Sequence, residues 1–311
     1  SGAGMLSTPS YKGLGTQQTP ILINGANMQS SMNGTMDLSL IDAAHFGRVS
    51  LTKADANTTG AQGMGDAISL SSLSQEDGLY IGLSTSTQKE LSANIKYVQN
   101  KKEWSYSISG VATQSENQVS LEHYGIDGFQ SNTDFKRASL LQTIGYKWLH
   151  SEWTNTLYLQ GSERGVPPQI NLTNDSRQLD VNAMMVNKYT IKTSENWVYE
   201  AANQIWAEQI VFDNAQNGVQ TDSKVFNSNT TASGSKYFKN KWYAKFGIGQ
   251  SVARYTSEAL ASDAVWNRPR VFLKLRKSYD KVRFSLTQNT IFYEGKEAFS
   301  GELKSEGDFA K

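Results

Sequence analysis

The sequence predicts an all-β protein, a transmembrane antiparallel β-barrel preceded by a smaller N-terminal unit. Three observations carry the prediction. From about residue 79 polarity alternates every second residue, the spacing of a strand with two unlike faces. Several alternating runs continue for about ten residues or more, longer than the five or six usual in soluble sheets. Tight polar turns also alternate with longer polar stretches, as they do between the two rims of an outer-membrane barrel.

Residues 1–72 differ from the rest. They are rich in Gly, Ser, Thr, Asn and Met with short apolar runs, and are expected to form a separate unit ahead of a barrel at residues 73–311. Within the barrel region Leu91, Ala93, Ile95 and Tyr97 alternate with Ser92, Asn94 and Lys96. Trp104, Tyr106 and Ile108 alternate with Ser105, Ser107 and Ser109. The same pattern returns at Trp242–Ile248, Val271–Leu275 and Val282–Leu286. Tight turns are expected at Asn100–Lys102, His150–Glu152, Thr193–Glu195, Lys239–Asn240 and Tyr279–Lys281, with longer loops near 114–137, 163–180, 213–226 and 257–266. This partition gives about eleven strands. An odd sheet does not close into a bacterial barrel, so further strands are expected from elsewhere. Tyr146, Trp148, Trp153, Trp242 and Tyr243 fall near strand ends, where amphipathic rings suit the headgroup level.

Composition is compatible with this class. No run of about 18 apolar residues exists to form a membrane helix. Barrel strands need only alternation, so a mean hydropathy of −0.50 does not oppose a membrane location. The 30 basic and 29 acidic side chains leave a net charge of +1 and no field to gather nucleic acid. Zero cysteines exclude disulfides, thiolate metal sites and cysteine nucleophiles. His45, His123 and His150 are scattered without metal-ligand spacing, and no catalytic triad or carboxylate pair has a defensible geometry; an enzyme is not expected. The chain begins at Ser1 with no signal-peptide pattern, as a processed product would.

The segment STPSYKGLG, residues 7–15, ILINGANMQSSMNGTMDLSLIDAAHFGRVSL, residues 21–51, and GAQGMGDAISLSS, residues 60–72, follow one another in the order of the plug motifs of TonB-dependent outer-membrane receptors. The sequence resembles that family. Asn24 stands where the family usually has aspartate, Lys12 where it has arginine, and Asp66 at a signature glycine. The resemblance implies a plug inside the lumen of a barrel of about 22 strands, of which this chain holds the later part of the plug and about half of the barrel. The wording of residues 24–41 and of SERGVPPQ, residues 162–169, is most similar to the vitamin B12 branch.

The resemblance further implies that plug-loop tips touch the substrate. Asn27, Gln29, Ser30, Ser31 and Asn33 offer donors and acceptors for the peripheral amides of a cobalamin-like ligand. Met28 and Met32 offer adaptable apolar contact. Met5 and Ser7 would lie on a second tip, Lys12 would hold plug to barrel, and Asp37 would pin the returning strand. Asp175 and Asp180, near Asn171 and Asn174, have the oxygen density that suits calcium, against the plainer reading of a solvated loop. The implied partners are the TonB-ExbB-ExbD energy-coupling system, outer-membrane lipid and a surface lipoprotein. Two other readings fit parts of the pattern, a receptor-like barrel serving as an envelope assembly platform and a soluble β-sandwich binding module.

Overall fold

The computed structural model of the protein describes residues 7–9, 19–30, 32, 34, 36–53, 66–73, 76–87, 89–117, 120–122, 125–168, 175–214, 216–258, 262–279, 282–293 and 296–307. Two sheets account for almost all of them.

The first sheet is small. Its strands are β1 (Ile21–Ile23), β2 (Ala26–Asn27), β3 (Arg48–Lys53) and β4 (Asp66–Ser71), in the order β2-β1-β4-β3. β1 turns tightly into β2 through Asn24 (φ 51) and Gly25 (φ 88), two left-handed residues that an Asn-Gly pair tolerates and that match the twist of the flanking strands. Asparagine at position 24 thus supplies the turn. β1 runs parallel to β4, so Ile21, Leu22 and Ile23 lie beside Ile68, Ser69 and Leu70. Short 3-10 turns at Leu38–Leu40 and Ala43–His45 lead from this loop region into β3, each capped by an aspartate, Asp37 and Asp42, whose side chain accepts from a backbone N–H two residues on.

The second sheet has twelve strands in sequence order, each antiparallel to the next. They are β5 (Gly78–Thr85), β6 (Glu90–Lys101), β7 (Trp104–Ser115), β8 (Phe135–Trp148), β9 (Ser151–Gly165), β10 (Arg177–Lys192), β11 (Trp197–Asn214), β12 (Val219–Phe238), β13 (Trp242–Ser257), β14 (Ala264–Ser278), β15 (Val282–Tyr293) and β16 (Lys296–Gly307). Among the described residues the sheet has twelve strands, where about eleven were expected. Among the described residues the two outer strands, β5 and β16, pair with one neighbour each, so the sheet does not close on itself.

Four of the expected tight turns, at Asn100–Lys102, His150–Glu152, Thr193–Glu195 and Lys239–Asn240, are present; the fifth, at Tyr279–Lys281, lies partly outside the described residues. The loop expected over 213–226 is not present: β11 and β12 continue in register to Asn214 and Val219, leaving only residues 215–218 between them. The reason is physical. About 9–11 tilted residues cross the hydrocarbon, so strands of 18 and 20 residues project well past it. There water wets both faces, alternation disappears, and paired backbone looks like loop in sequence.

The sheet is inside out relative to a soluble one. Ile81 is 69% exposed and Leu83, Ile95 and Leu159 are exposed on the outer face, while Thr143 is 1% exposed and Ser107, Gln160 and Lys245 are buried on the inner face. A soluble sandwich buries the other face, so that reading fails. One outward rung, Trp104–Tyr146–Trp153–Tyr189, carries an aromatic residue on four consecutive strands close to the short turns. Further along the same rim Lys277 lies over the Trp242 ring and Arg276 over Tyr243. This is the belt expected where lipid meets water.

The core sits between the sheets. Ile21, Ile23, Ala26, Met28 and Leu70 of the small sheet pack on Leu141, Tyr158, Met184 and Trp206, which form a single inward rung across β8–β11. The inner wall turns apolar where the plug rests on it.

Candidate functional site

The described residues between Asn27 and His45 lie toward the long-loop ends of the barrel strands. Their contacts follow the wall from β11 round to β7. Gln204 on β11 donates to the Asn27 carbonyl oxygen at 2.7 Å. Ser30 donates to the Glu208 carboxylate, with oxygens at 2.8 and 2.9 Å. Arg164 near the end of β9 donates to Asp37 Oδ2 at 2.8 Å and lies 3.6 Å from Asp180. Arg137 near the start of β8 pairs with Asp42 at 2.9 Å and also reaches the Ser39 carbonyl oxygen. The Tyr158 hydroxyl donates to the Leu40 carbonyl at 2.9 Å.

His45 ends this chain of contacts and is fully buried. Its Nδ1 is 2.7 Å from Ser109 Oγ and its Nε2 2.7 Å from Ser139 Oγ, so one hydroxyl accepts and the other donates to a neutral ring. Lys96 donates to its carbonyl oxygen at 3.1 Å. Burial, opposed by Asp42 and reinforced by Arg137 and Lys96, holds the imidazole pKa down at about 4.

The expected ligand-contact residues fall into three groups. Asn27, Gln29 and Ser30 are half-buried and partly committed to the loop itself: Asn27 Oδ1 accepts from the Gln29 N–H at 3.1 Å, and Ser30 Oγ accepts from the Met32 N–H at 3.1 Å. Met32 is half-buried on the loop. Met28 is 1% exposed and belongs to the core, which removes it from the adaptable surface expected of it. Ser31, Asn33, Met5 and the Lys12 position lie outside the described residues. Ser7 is exposed and anchored to the loop, its N–H donating to Asp37 Oδ1 at 3.0 Å and its carbonyl accepting from the Leu38 N–H at 2.6 Å. Asp37 therefore ties together the turn, Ser7 and Arg164.

Asp175 is exposed, whereas Asp180 points inward from β10, where Arg164, Gln178 and Ser162 surround its carboxylate. Asn171 and Asn174 lie outside the described residues. Among the described residues no group of three or more acidic or histidine side chains is placed to hold a metal ion.

Sequence reading missed Gln204, Glu208, Arg137 and Arg164 as partners of the loop. Their signal was present as charged or amide residues at inward-facing parity. Beside them Gln160 Nε2 and Trp206 Nε1 are buried donors with no acceptor among the described residues.

Residues 1–66 match the TonB-dependent Receptor Plug Domain family. No curated protein matches the chain. Solved structures do match. The FrpB iron transporter from Neisseria meningitidis (F5-1 variant, apoprotein) is 10% identical with a TM-score of 0.71 over 94% of this chain and 53% of that one. The alcaligin outer-membrane receptor FauA from Bordetella pertussis is 13% identical, with a TM-score of 0.64 over 96% and 52%. The siderophore receptor PiuA from Acinetobacter baumannii is 11% identical, with a TM-score of 0.62 over 98% and 56%. The chain spans about half the length of these receptors, and at such identities the likeness is one of fold. A plug-family match at residues 1–66, docked on a sheet that is greasy outside and polar inside, gives this chain the plug-and-barrel fold of the TonB-dependent receptors of the bacterial outer membrane.

Proposed function

We propose that the protein is a receptor that captures a large, scarce nutrient at the long-loop rim and takes it up with energy from the TonB-ExbB-ExbD system. The observation that carries this reading is the contact of Ser30, beside Gln29 at the polar tip of the plug, with Glu208 of β11. Around it the inward side chains of the wall are mostly donors and acceptors. Capture needs no covalent step. Ligand contacts at the loop compete with the plug-to-wall bonds of Ser30, Asp37 and Asp42, and a pull from the periplasmic side then frees the plug. Gln160 and Trp206 supply donors that an oxygen-rich ligand would satisfy as the loop moves.

The ligand class favoured is an iron–siderophore chelate, supported by what the FrpB, FauA and PiuA structures are named for. Cobalamin is the second reading, supported by the likeness of residues 24–41 and 162–169 to the vitamin B12 branch. The deciding experiment titrates ferric hydroxamate and catecholate siderophores and cyanocobalamin into the detergent-solubilised protein. Parallel titrations use Gln29→Ala, Ser30→Ala and Asn33→Ala variants. Saturable binding of one class, weakened about tenfold or more by these changes, supports the receptor and names its ligand. Absence of saturable binding for all of them rejects the uptake reading and leaves the non-transporting platform.

A further inference from the structure

A second polar constellation lies on the other side of the plug, toward the short turns. It is built by register. One inward rung crosses five strands as Lys188, Ala202, Thr231, Gly249 and Arg270. Two cations therefore stand at the ends of a row of small side chains. The next rung toward the short turns continues the shallow floor with Ser233 and Gly247 and brings in Glu200 from β11. One rung further, Lys245 points inward with its side chain 6% exposed.

Small residues in the middle and long ones at the margins make a hollow. Its volume is about 340 Å³, and the plug covers it with Asn24, Gly25 and Ala26. That volume suits a small organic molecule, since ligand sites run from about 300 to 1,000 Å³. Gly249 is needed for the depth: a Cβ there would come within 2.5 Å of Arg270 Nε, which lies across it.

The charges are unbalanced. Among the described residues lining the hollow, the ammonium groups of Lys188 and Lys245 face the single carboxylate of Glu200. Glu200 serves both lysines, at 2.8 Å from Lys245 Nζ and 3.5 Å from Lys188 Nζ. One carboxylate cannot saturate two ammonium groups, each with three donors. In a hollow partly covered by the plug, where screening is weaker than in bulk water, the excess favours an anion.

We propose that this hollow is a binding site for a small polycarboxylate, held between Lys188, Lys245 and Arg270 beneath the Asn24–Gly25 turn. Glu200 acts as the internal competitor that keeps the lysines in place until the anion arrives. The site is separate from the loop that captures the nutrient, and its position on the short-turn side puts it after the plug on a path through the lumen. Carboxylate and phosphate share the required chemistry. The volume favours the larger, multi-armed anion.

The test is calorimetric titration of citrate, inorganic phosphate and uncharged glycerol into the full chain in detergent micelles at low salt. The variants are Lys188→Gln/Lys245→Gln, Glu200→Gln and Gly249→Val, with β-sheet circular dichroism as the check on folding. The expected result is saturable citrate binding that weakens at least tenfold in the lysine double variant. It should tighten several-fold in Glu200→Gln, which releases both lysines, and weaken in Gly249→Val, which fills the floor without changing charge. A merely structural Glu200 gives no tightening. No saturable citrate binding in either the unmodified chain or Glu200→Gln overturns the proposal, as does tighter binding of phosphate than citrate. Either failure leaves the capture of a nutrient at the outer loop untouched.

Discussion

Asp37 of the plug and Arg164 of β9 meet at 2.8 Å, with side chains only 9% and 13% exposed. The carboxylate that caps the Leu38–Leu40 turn thereby also fastens that turn to the barrel. Removing one member of such a pair leaves a buried charge without its partner, which costs about 3–5 kcal/mol. Arg164→Met is expected to loosen residues 37–45 by roughly that amount. Hydrogen exchange of the Leu38–Ile41 amides reads this directly. Asp37→Asn combined with Arg164→Met should cost less than the sum of the single changes, and simple additivity would show that the pair carries no coupling.

His45 makes plug docking sensitive to acid. Its folded pKa is about 4 against an ordinary 6.5, so the unfolded or undocked ring binds a proton first. Stability is complete above pH 6.5 and falls as pH drops toward 4. At 1.36 kcal/mol per pKa unit the loss approaches roughly 3 kcal/mol. His45→Gln keeps hydrogen-bonding capacity toward Ser109 and Ser139 without titrating. Urea melts at pH 7 and pH 4.5 should show a smaller difference for this variant than for the unmodified protein. An equal difference would place the acid sensitivity elsewhere.

Met28 tests the apolar contact between plug and wall. It is 1% exposed among Ile21, Ile23, Met184 and Trp206. Met28→Ala should cost about 2–5 kcal/mol by leaving a cavity, whereas Met28→Leu should cost less than about 1.5 kcal/mol. Equal denaturation midpoints for the alanine and leucine variants would contradict the packing described.

The fold was legible wherever one environment acted on a whole strand. Strands β6, β7 and β13 sit between lipid and a wet lumen, and their alternation announced both faces. The missed continuation of β11 and β12 lies beyond the lipid, where no such contrast exists. The rung Leu141–Tyr158–Met184–Trp206 was equally hidden. Parity marks these side chains as inward, but their apolar character answers to a plug far away in sequence. The site shows the same limit. Asn27, Gln29 and Ser30 read as polar surface, yet which of their atoms are committed depends on Gln204 and Glu208, about 180 residues on. Met28 read as a ligand contact because periodicity over two residues cannot say which side of a short hairpin meets the wall.

The lipid face provides a further prediction. Ile95 is 52% exposed at the middle of β6. In a water-soluble sheet Ile95→Lys would be nearly neutral. In a bilayer it should destabilise folding by about 2–4 kcal/mol, the cost of a cation near the midplane. Folding titrations in phospholipid vesicles measure the difference.

The most direct single measurement is a nitroxide scan along β9 from Thr156 to Gln160 in vesicles, reading accessibility to oxygen, which concentrates in lipid, and to a water-soluble nickel chelate. Leu157 and Leu159 should show high oxygen and low nickel accessibility, with Thr156, Tyr158 and Gln160 low in oxygen. Loss of the two-residue alternation, or its reversal, would contradict a sheet that turns its apolar face to lipid and its polar face to the plug.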